Sequence, residues 1–193
     1  MNAERNTMTK LLQYCGVAAS IVLIAFGVGS VVTGVNGRDR VHSDLAREQI
    51  VGTPDSSIAG QLVNTGAKAE AFAKVMRKHT LEATGGQTYA EMPRYAGKNG
   101  TPTNNEKLAA VDPKSGKAVD NPVRNLWVTE TALTTALNTS YFAERVATFA
   151  IAMGIALLLT GIGLLVLTLR LLGRPVGVRA PEPATSTAAP LPG

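Results

Sequence analysis

Cysteine is almost missing from this chain. Among its 193 residues there is one, Cys15, so no disulfide can staple any part of it and its stability must come from packing. Cys15 follows Gln13-Tyr14 and precedes an apolar run, the reverse of a lipoprotein signal, and reads as a small apolar residue of a helix. Histidine is nearly as scarce. His42 and His79 are the only two, and a metal site would need a third ligand whose placement the sequence does not show. There is no Gly-rich phosphate loop, no HExxH and no nucleophile elbow. The expectation is therefore no catalytic residue, no cofactor-binding residue, no metal ligand and no cofactor: the chain is not an enzyme.

Aromatic residues make up 5% of the chain and charged residues 17%, both low. The net charge of +5 could suggest nucleic acid, but its placement argues otherwise. Between the two apolar runs, Lys and Arg alternate with Asp and Glu, and neither a dense basic patch nor an aromatic stacking platform forms. No nucleic-acid partner is expected.

Charge is missing altogether from two long stretches, and these organise everything else. Val146 to Leu169 reads VATFAIAMGIALLLTGIGLLVLTL between Arg145 and Arg170; Leu11 to Val35 lies between Lys10 and Arg38. About 24 residues at roughly 1.5 Å each give a helix near 36 Å, enough to cross a ~30 Å hydrocarbon layer. The first run is too long for a cleavable signal core and ends in no A-x-A site, so it reads as an uncleaved span. With no Asp, Glu, Lys, Arg or His inside either run, an intramembrane proton or ion relay has no residue to stand on.

The resulting organisation is a cytoplasmic head over 1–10 and a transmembrane helix over 11–35. An extracytoplasmic helical domain over 36–145, a second transmembrane helix over 146–169 and a disordered cytoplasmic tail over 170–193 follow. Arg5 and Lys10 before the first run, and Arg170, Arg174 and Arg179 after the second, put both termini inside a cell membrane and the central domain outside. The fold class expected is an all-α integral membrane protein. Its two transmembrane helices extend beyond the bilayer as a stalk, with a small helical extracytoplasmic cap between them.

Small residues inside the runs recur by threes and fours. Gly16, Ser20, Leu23, Gly27, Ser30 and Gly34 form one stripe; Ala147, Ala150, Gly154, Leu157, Gly161, Leu164 and Thr168 form another. Such stripes let membrane helices approach closely, whether within one chain or between chains. The stalk should continue through Val41 and Leu45 to Ile50, ended by Gly52 and Pro54. Gly66 to Thr84 reads as an amphipathic helix with Ala69, Phe72, Val75, Met76 and His79 on its apolar face, stopped by Gly85-Gly86. Thr88-x-x-Glu91 and Thr103-x-x-Glu106 suggest capping boxes of short helices, the first carrying Tyr89 and Met92. Asp112 to Gly116 is a turn, and Asn121-Pro122 opens one long helix from about Arg124 through Leu172, broken by Gly173-Arg174-Pro175. Leu45, Phe72, Val75, Met76, Tyr89, Leu126, Trp127, Leu133 and Leu137 are the expected core of the central domain, with Tyr141 and Phe142 as anchors at the outer interface.

The stretches REQIVGTPDSS, TGAKAEAFAKVMRKHTLEATGGQTYAEMPR and RNLWVTETALTTALNTSYFAERVATFA resemble those of an uncharacterised family of actinobacterial two-pass membrane proteins, over most of residues 10–170. The resemblance implies an envelope protein and brings no known activity. A dioxygenase label, which some such proteins carry, would need two histidines and a carboxylate converging on iron, and His42 and His79 belong to different predicted helices. The sequence thus points to a non-enzymatic accessory or scaffold subunit of a larger membrane complex. Its partners would be the lipid bilayer and another membrane protein or further copies of itself. A homo-oligomeric pore and a module binding an envelope ligand are the alternatives. A pore would have little beyond Ser20, Ser30, Thr33, Thr160 and Thr168 to line it.

Overall fold

Runs of good helix formers set the architecture: from Val123 to Met153 there is neither Gly nor Pro to interrupt a helix. The computed structural model describes residues 2–172, and among these it contains three α-helices and no strand. They are α1 (Asn2–Arg47), α2 (Gly66–Ala83) and α3 (Arg124–Leu172), with one 3₁₀ turn at Glu106–Leu108. The expected break at Gly173-Arg174-Pro175, the arginines Arg174 and Arg179 and the tail after Leu172 lie outside the described residues, as does the side chain of Arg5. With 46 and 49 residues, α1 and α3 each have more than twice the ~20 needed to cross a bilayer.

The chain divides into two compact units, one of Met1–Ala25 with Leu158–Gly193 and one of Phe26–Leu157. In the first, α1 and α3 run antiparallel through small residues. A Cβ on Gly16 would fall 2.7 Å from Thr168 Oγ1, and one on Gly161 would fall 2.8 Å from Ile24 Cγ1 and 3.1 Å from Leu23 Cβ. Ser20 is fully buried, and its hydroxyl donates to the Gly16 carbonyl at 2.7 Å, so no polar group is left open in an apolar seam.

In the second unit the helices come closer still. A Cβ on Gly154 would meet Gly27 O at 2.7 Å, and one on Gly34 would meet Ala147 O at 2.7 Å. Both contacts are with backbone, which cannot swing aside as a side chain can. The partner residues step by seven on each helix, the spacing of a left-handed crossing. Beyond this contact Leu45, Ile58, Val63, Ala69, Phe72, Ala73 and Leu137 form one core, with Val41, Ile50, Met76 and Leu133 packed at its edge. Each large side chain buried there contributes about 1.5–3 kcal/mol.

α2 is bounded by its own chemistry. The Thr65 hydroxyl accepts from Lys68 N at 3.3 Å at one end. At the other, Gly86 N donates to Leu81 O and Gly85 N to Glu82 O, a Schellman closure that Gly85 permits at φ +63°. α3 is capped by Asn121, whose Oδ1 accepts from Val123 N while its amide donates to Pro93 O.

Several expectations require correction. α1 begins at Asn2, so residues 2–10 are helical, and it ends at Arg47, with Gln49 at φ +52° turning the chain before Gly52 is reached. The segment from Gly85 to Val123 is largely irregular: Thr88 and Glu91 make their reciprocal bonds, but only around a single turn. The 3₁₀ turn is capped by Asn105, not Thr103. Isolated bridges pair Tyr95 with Thr103, Gly97 with Ala109 and Val111 with Ala118. Asp112 Oδ1 accepts from Lys114 N and Ser115 N to form the expected turn.

Two of the expected core residues lie on the surface. Leu126 is 46% exposed because Trp127, its neighbour, is the one buried, and successive residues on a helix point about 100° apart. Tyr89 is also 46% exposed, since its single turn is too short to carry the ring inward, and the Arg124 guanidinium stacks on it. Tyr141 is half-buried, with Gly66 seated on its backbone, and Phe142 is exposed.

Gly154→Ala should destabilise the protein by roughly 1–3 kcal/mol, since the methyl group must push two backbones apart. Gly29, in the same α1, has nothing within 4 Å of its would-be Cβ. Gly29→Ala should therefore be neutral or stabilise by up to about 1 kcal/mol through helix propensity. Thermal unfolding of the two variants in mild detergent checks the pair; equal shifts would refute the close approach.

Candidate functional site

Where α1, α2 and α3 meet, one carboxylate connects all three. Glu144 lies one turn of α3 before Ala147, and its side chain is 16% exposed. Its Oε2 accepts from Gly66 N at the start of α2, while its Oε1 lies 3.3 Å from His42 Nε2 and 3.8 Å from Arg38 Nε on α1. The His42 Nε2 atom is itself buried, and Glu144 Oε1 is the carboxylate oxygen beside it. Burial alone raises the Glu144 pKa. The Gly66 N–H, followed by His42 and Arg38, more than offsets this and holds the carboxyl below its ordinary value.

A second carboxylate ties the loop after α1 to the outer face of α2. Asp55 accepts from Lys78 Nζ at 2.9 Å and from Thr53 Oγ1 at 2.9 Å, and lies 3.0 Å from His79 Nε2. Lys78, then Thr53 and His79, depress its pKa strongly. His79 thus turns toward a surface carboxylate instead of closing the apolar face of α2. A third carboxylate, Glu130, is buried on α3 and accepts from the Thr131 hydroxyl at 3.3 Å.

The irregular segment is pinned to the start of α3. Trp127 is 4% exposed; its indole N–H donates to Gln87 O at 3.0 Å, and the Arg77 guanidinium lies 5.2 Å from its ring. Arg124, one turn earlier, stacks 3.9 Å from the Tyr89 ring. Beside this stacked pair opens a polar cleft of about 310 Å³, lined by Tyr89, Arg94, Asp120, Asn121, Arg124 and Asn125.

The residues singled out from sequence divide as follows. Gly16, Ser20, Gly27, Ser30 and Gly34 on α1 and Ala147, Ala150, Gly154 and Gly161 on α3 are all buried or half-buried. The glycine contacts place each stripe against the other helix of the same chain. Leu45, Phe72, Val75, Trp127 and Leu137 are buried, Met76 and Leu133 half-buried. The two histidines are far from sharing a site, as each faces its own carboxylate on a different element. Among the described residues no three His, Cys, Asp or Glu side chains gather as a metal would require. Sequence reasoning missed Glu144, Asp55 and the cleft. Only Glu144 left a signal, as an acid seven residues from Leu137 and three from Ala147 on the buried stripe.

No known protein family, no curated protein and no solved structure matches the chain.

Because the folded state holds Glu144 ionised below its unfolded pKa, its stabilisation is complete above the usual glutamate value, about pH 4.3. That stabilisation is lost as pH falls through the folded value. Glu144→Gln should cost about 1.5–3 kcal/mol at pH 7, the worth of a charged hydrogen bond. It should also flatten part of the acid-side loss of melting temperature. A variant whose melting curve tracks the parent between pH 7 and pH 3 would show that the carboxylate charge is idle.

Proposed function

We infer that the chain is an integral membrane protein, of the actinobacterial two-pass kind that its connecting segments resemble, acting without catalysis as an accessory or scaffold subunit. One observation carries this reading. The apolar windows of α1 and α3 have mean hydropathies of 2.3 and 2.5, yet only 11% of each is buried by the rest of the chain. The core helices of a water-soluble domain are covered by their own protein. Here Phe26, Phe149 and Leu159 stand about two-thirds exposed, and lipid is the surrounding that removes that cost.

Arg5 and Lys10 on one side, and Arg170, Arg174 and Arg179 on the other, support both termini facing the cytoplasm, with the segment between the helices outside. The small-residue stripes are occupied by each other, so docking on a larger complex falls to the connecting segment and the lipid-facing sides. A pore finds less support: Ser20 and Thr168, two of the five polar residues available to line it, are buried inside the helix pair.

A thiol introduced as Ser115→Cys, in a Cys15→Ala background, should react with a membrane-impermeant maleimide on intact cells. Ser115 sits in an exposed turn, so protection there would reverse the orientation. Mild-detergent purification from native membranes should retain a partner at fixed stoichiometry. The protein alone, at a multiple of 20.1 kDa, would sink the accessory reading and favour the pore.

A further inference from the structure

The cleft at the start of α3 contains cationic groups that the fold leaves unused. Arg124 and Arg94 both line it, and among the described residues neither guanidinium makes a hydrogen bond or an ion pair. Each instead spends a face on an aromatic ring, Arg124 on Tyr89 at 3.9 Å and Arg94 on Tyr95 at 5.2 Å. Stacking occupies the face of a guanidinium and leaves its N–H edge, the edge that matches a planar or tetrahedral oxyanion, free. Arg124 Nε is moreover buried and, among the described residues, without a hydrogen-bond partner. A buried donor left unsatisfied is destabilising, so its persistence is a reason to look for the acceptor.

Two neutral groups in the same wall are equally idle: no hydrogen bond is made by the Tyr89 hydroxyl or the Asn125 amide among the described residues. Asn121, by contrast, has both ends of its amide engaged, with Pro93 O and Val123 N, and serves to hold the wall in place. Asp120 also lines the cleft and makes no ion pair among the described residues. Two guanidiniums against one carboxylate leave a single net positive charge, which suits one anionic group and disfavours a polyanion.

We propose that this cleft is a binding site for the carboxylate or phosphate group of a small soluble molecule, with Arg124 and Arg94 as the anion-holding residues and Tyr89 and Asn125 as its further donors. Lipid headgroups are a poor source for that group. Twenty-two positions of α3 separate Arg124 from Val146, where the apolar run starts, about 33 Å along the helix. The soluble source therefore rests on the membrane reading above, whereas the anion chemistry of the cleft does not.

The test uses the full chain in detergent, with equilibrium dialysis of labelled inorganic phosphate and, separately, labelled succinate, at constant ionic strength in chloride. One of the two probes should saturate at one site per chain. Arg124→Gln and Arg94→Gln should each weaken that binding about tenfold or more, the worth of a charged hydrogen bond. Helicity and Trp127 emission should be unchanged. Saturation by phosphate alone would mark a phosphorylated ligand, and by succinate alone a carboxylate. If neither probe saturates, or if both variants bind as the parent does, the proposal is overturned. Should Arg124→Gln fail to fold, Arg94→Gln decides, since the Arg94 side chain is exposed and its removal uncovers no core.

Discussion

The backbones of α1 and α3 approach so closely at Gly34 and Gly154 that no side chain fits between them, and the remainder of the larger unit depends on that contact. With Gly27 opposite Gly154 and Gly34 opposite Ala147, the antiparallel register cannot slip without driving a carbonyl into a Cβ. The same register brings Glu144, one turn from Ala147, against Arg38 and His42, one and two turns beyond Gly34. Glu144 in turn receives the first N–H of α2, and Gly66 can lie against Tyr141 only because it lacks a side chain. A steric constraint between two helices thus sets where a charge lands, and the charge sets where the third helix begins.

For helices surrounded by lipid, as proposed above, the forces at these two levels differ. Hydrocarbon tails are as apolar as leucine, so burial gives two helices little reason to associate; dispersion at short range and satisfied polar groups must do so. Glycine and serine stripes serve that end, and Ser20 closes its hydroxyl on its own helix. Between the helices the balance is that of a water-soluble domain. Phe72, Leu137, Val63 and Leu45 leave water together. The irregular segment from Gly85 to Val123 contributes no side chain to that core, though Met92 and Ala109 are buried within it. It is held instead by isolated bridges, by the Asn121 amide and by the Trp127 indole, which is why it can present polar groups outward in place of burying them.

Elements governed by neighbours in the chain were legible in advance. Helix α3 runs from Arg124 to Leu172 because Asn121-Pro122 opens it and nothing interrupts it. Helix α2 ends where two glycines follow. Extrapolating a stripe beyond its run is less secure: of the adjacent Leu126 and Trp127, both expected inside, only Trp127 is buried, packed by Gln87 and Arg77. Of the short capping signatures, Thr88 gave a single turn and Thr103 preceded only the 3₁₀ turn at Glu106–Leu108, since a cap cannot sustain a longer helix without enough residues to repay nucleation.

Composition and periodicity by themselves determined that this chain has two long apolar helices with small-residue stripes and an amphipathic helix between them. Those features arise from residues within a turn or two of one another. Tertiary structure decided that the stripes meet within one chain, that Glu144 gathers three helices, and that Tyr89, Arg94 and Arg124 converge on one cleft. Each of these joins residues dozens of positions apart along the chain, and no local pattern records which distant atom a side chain will find.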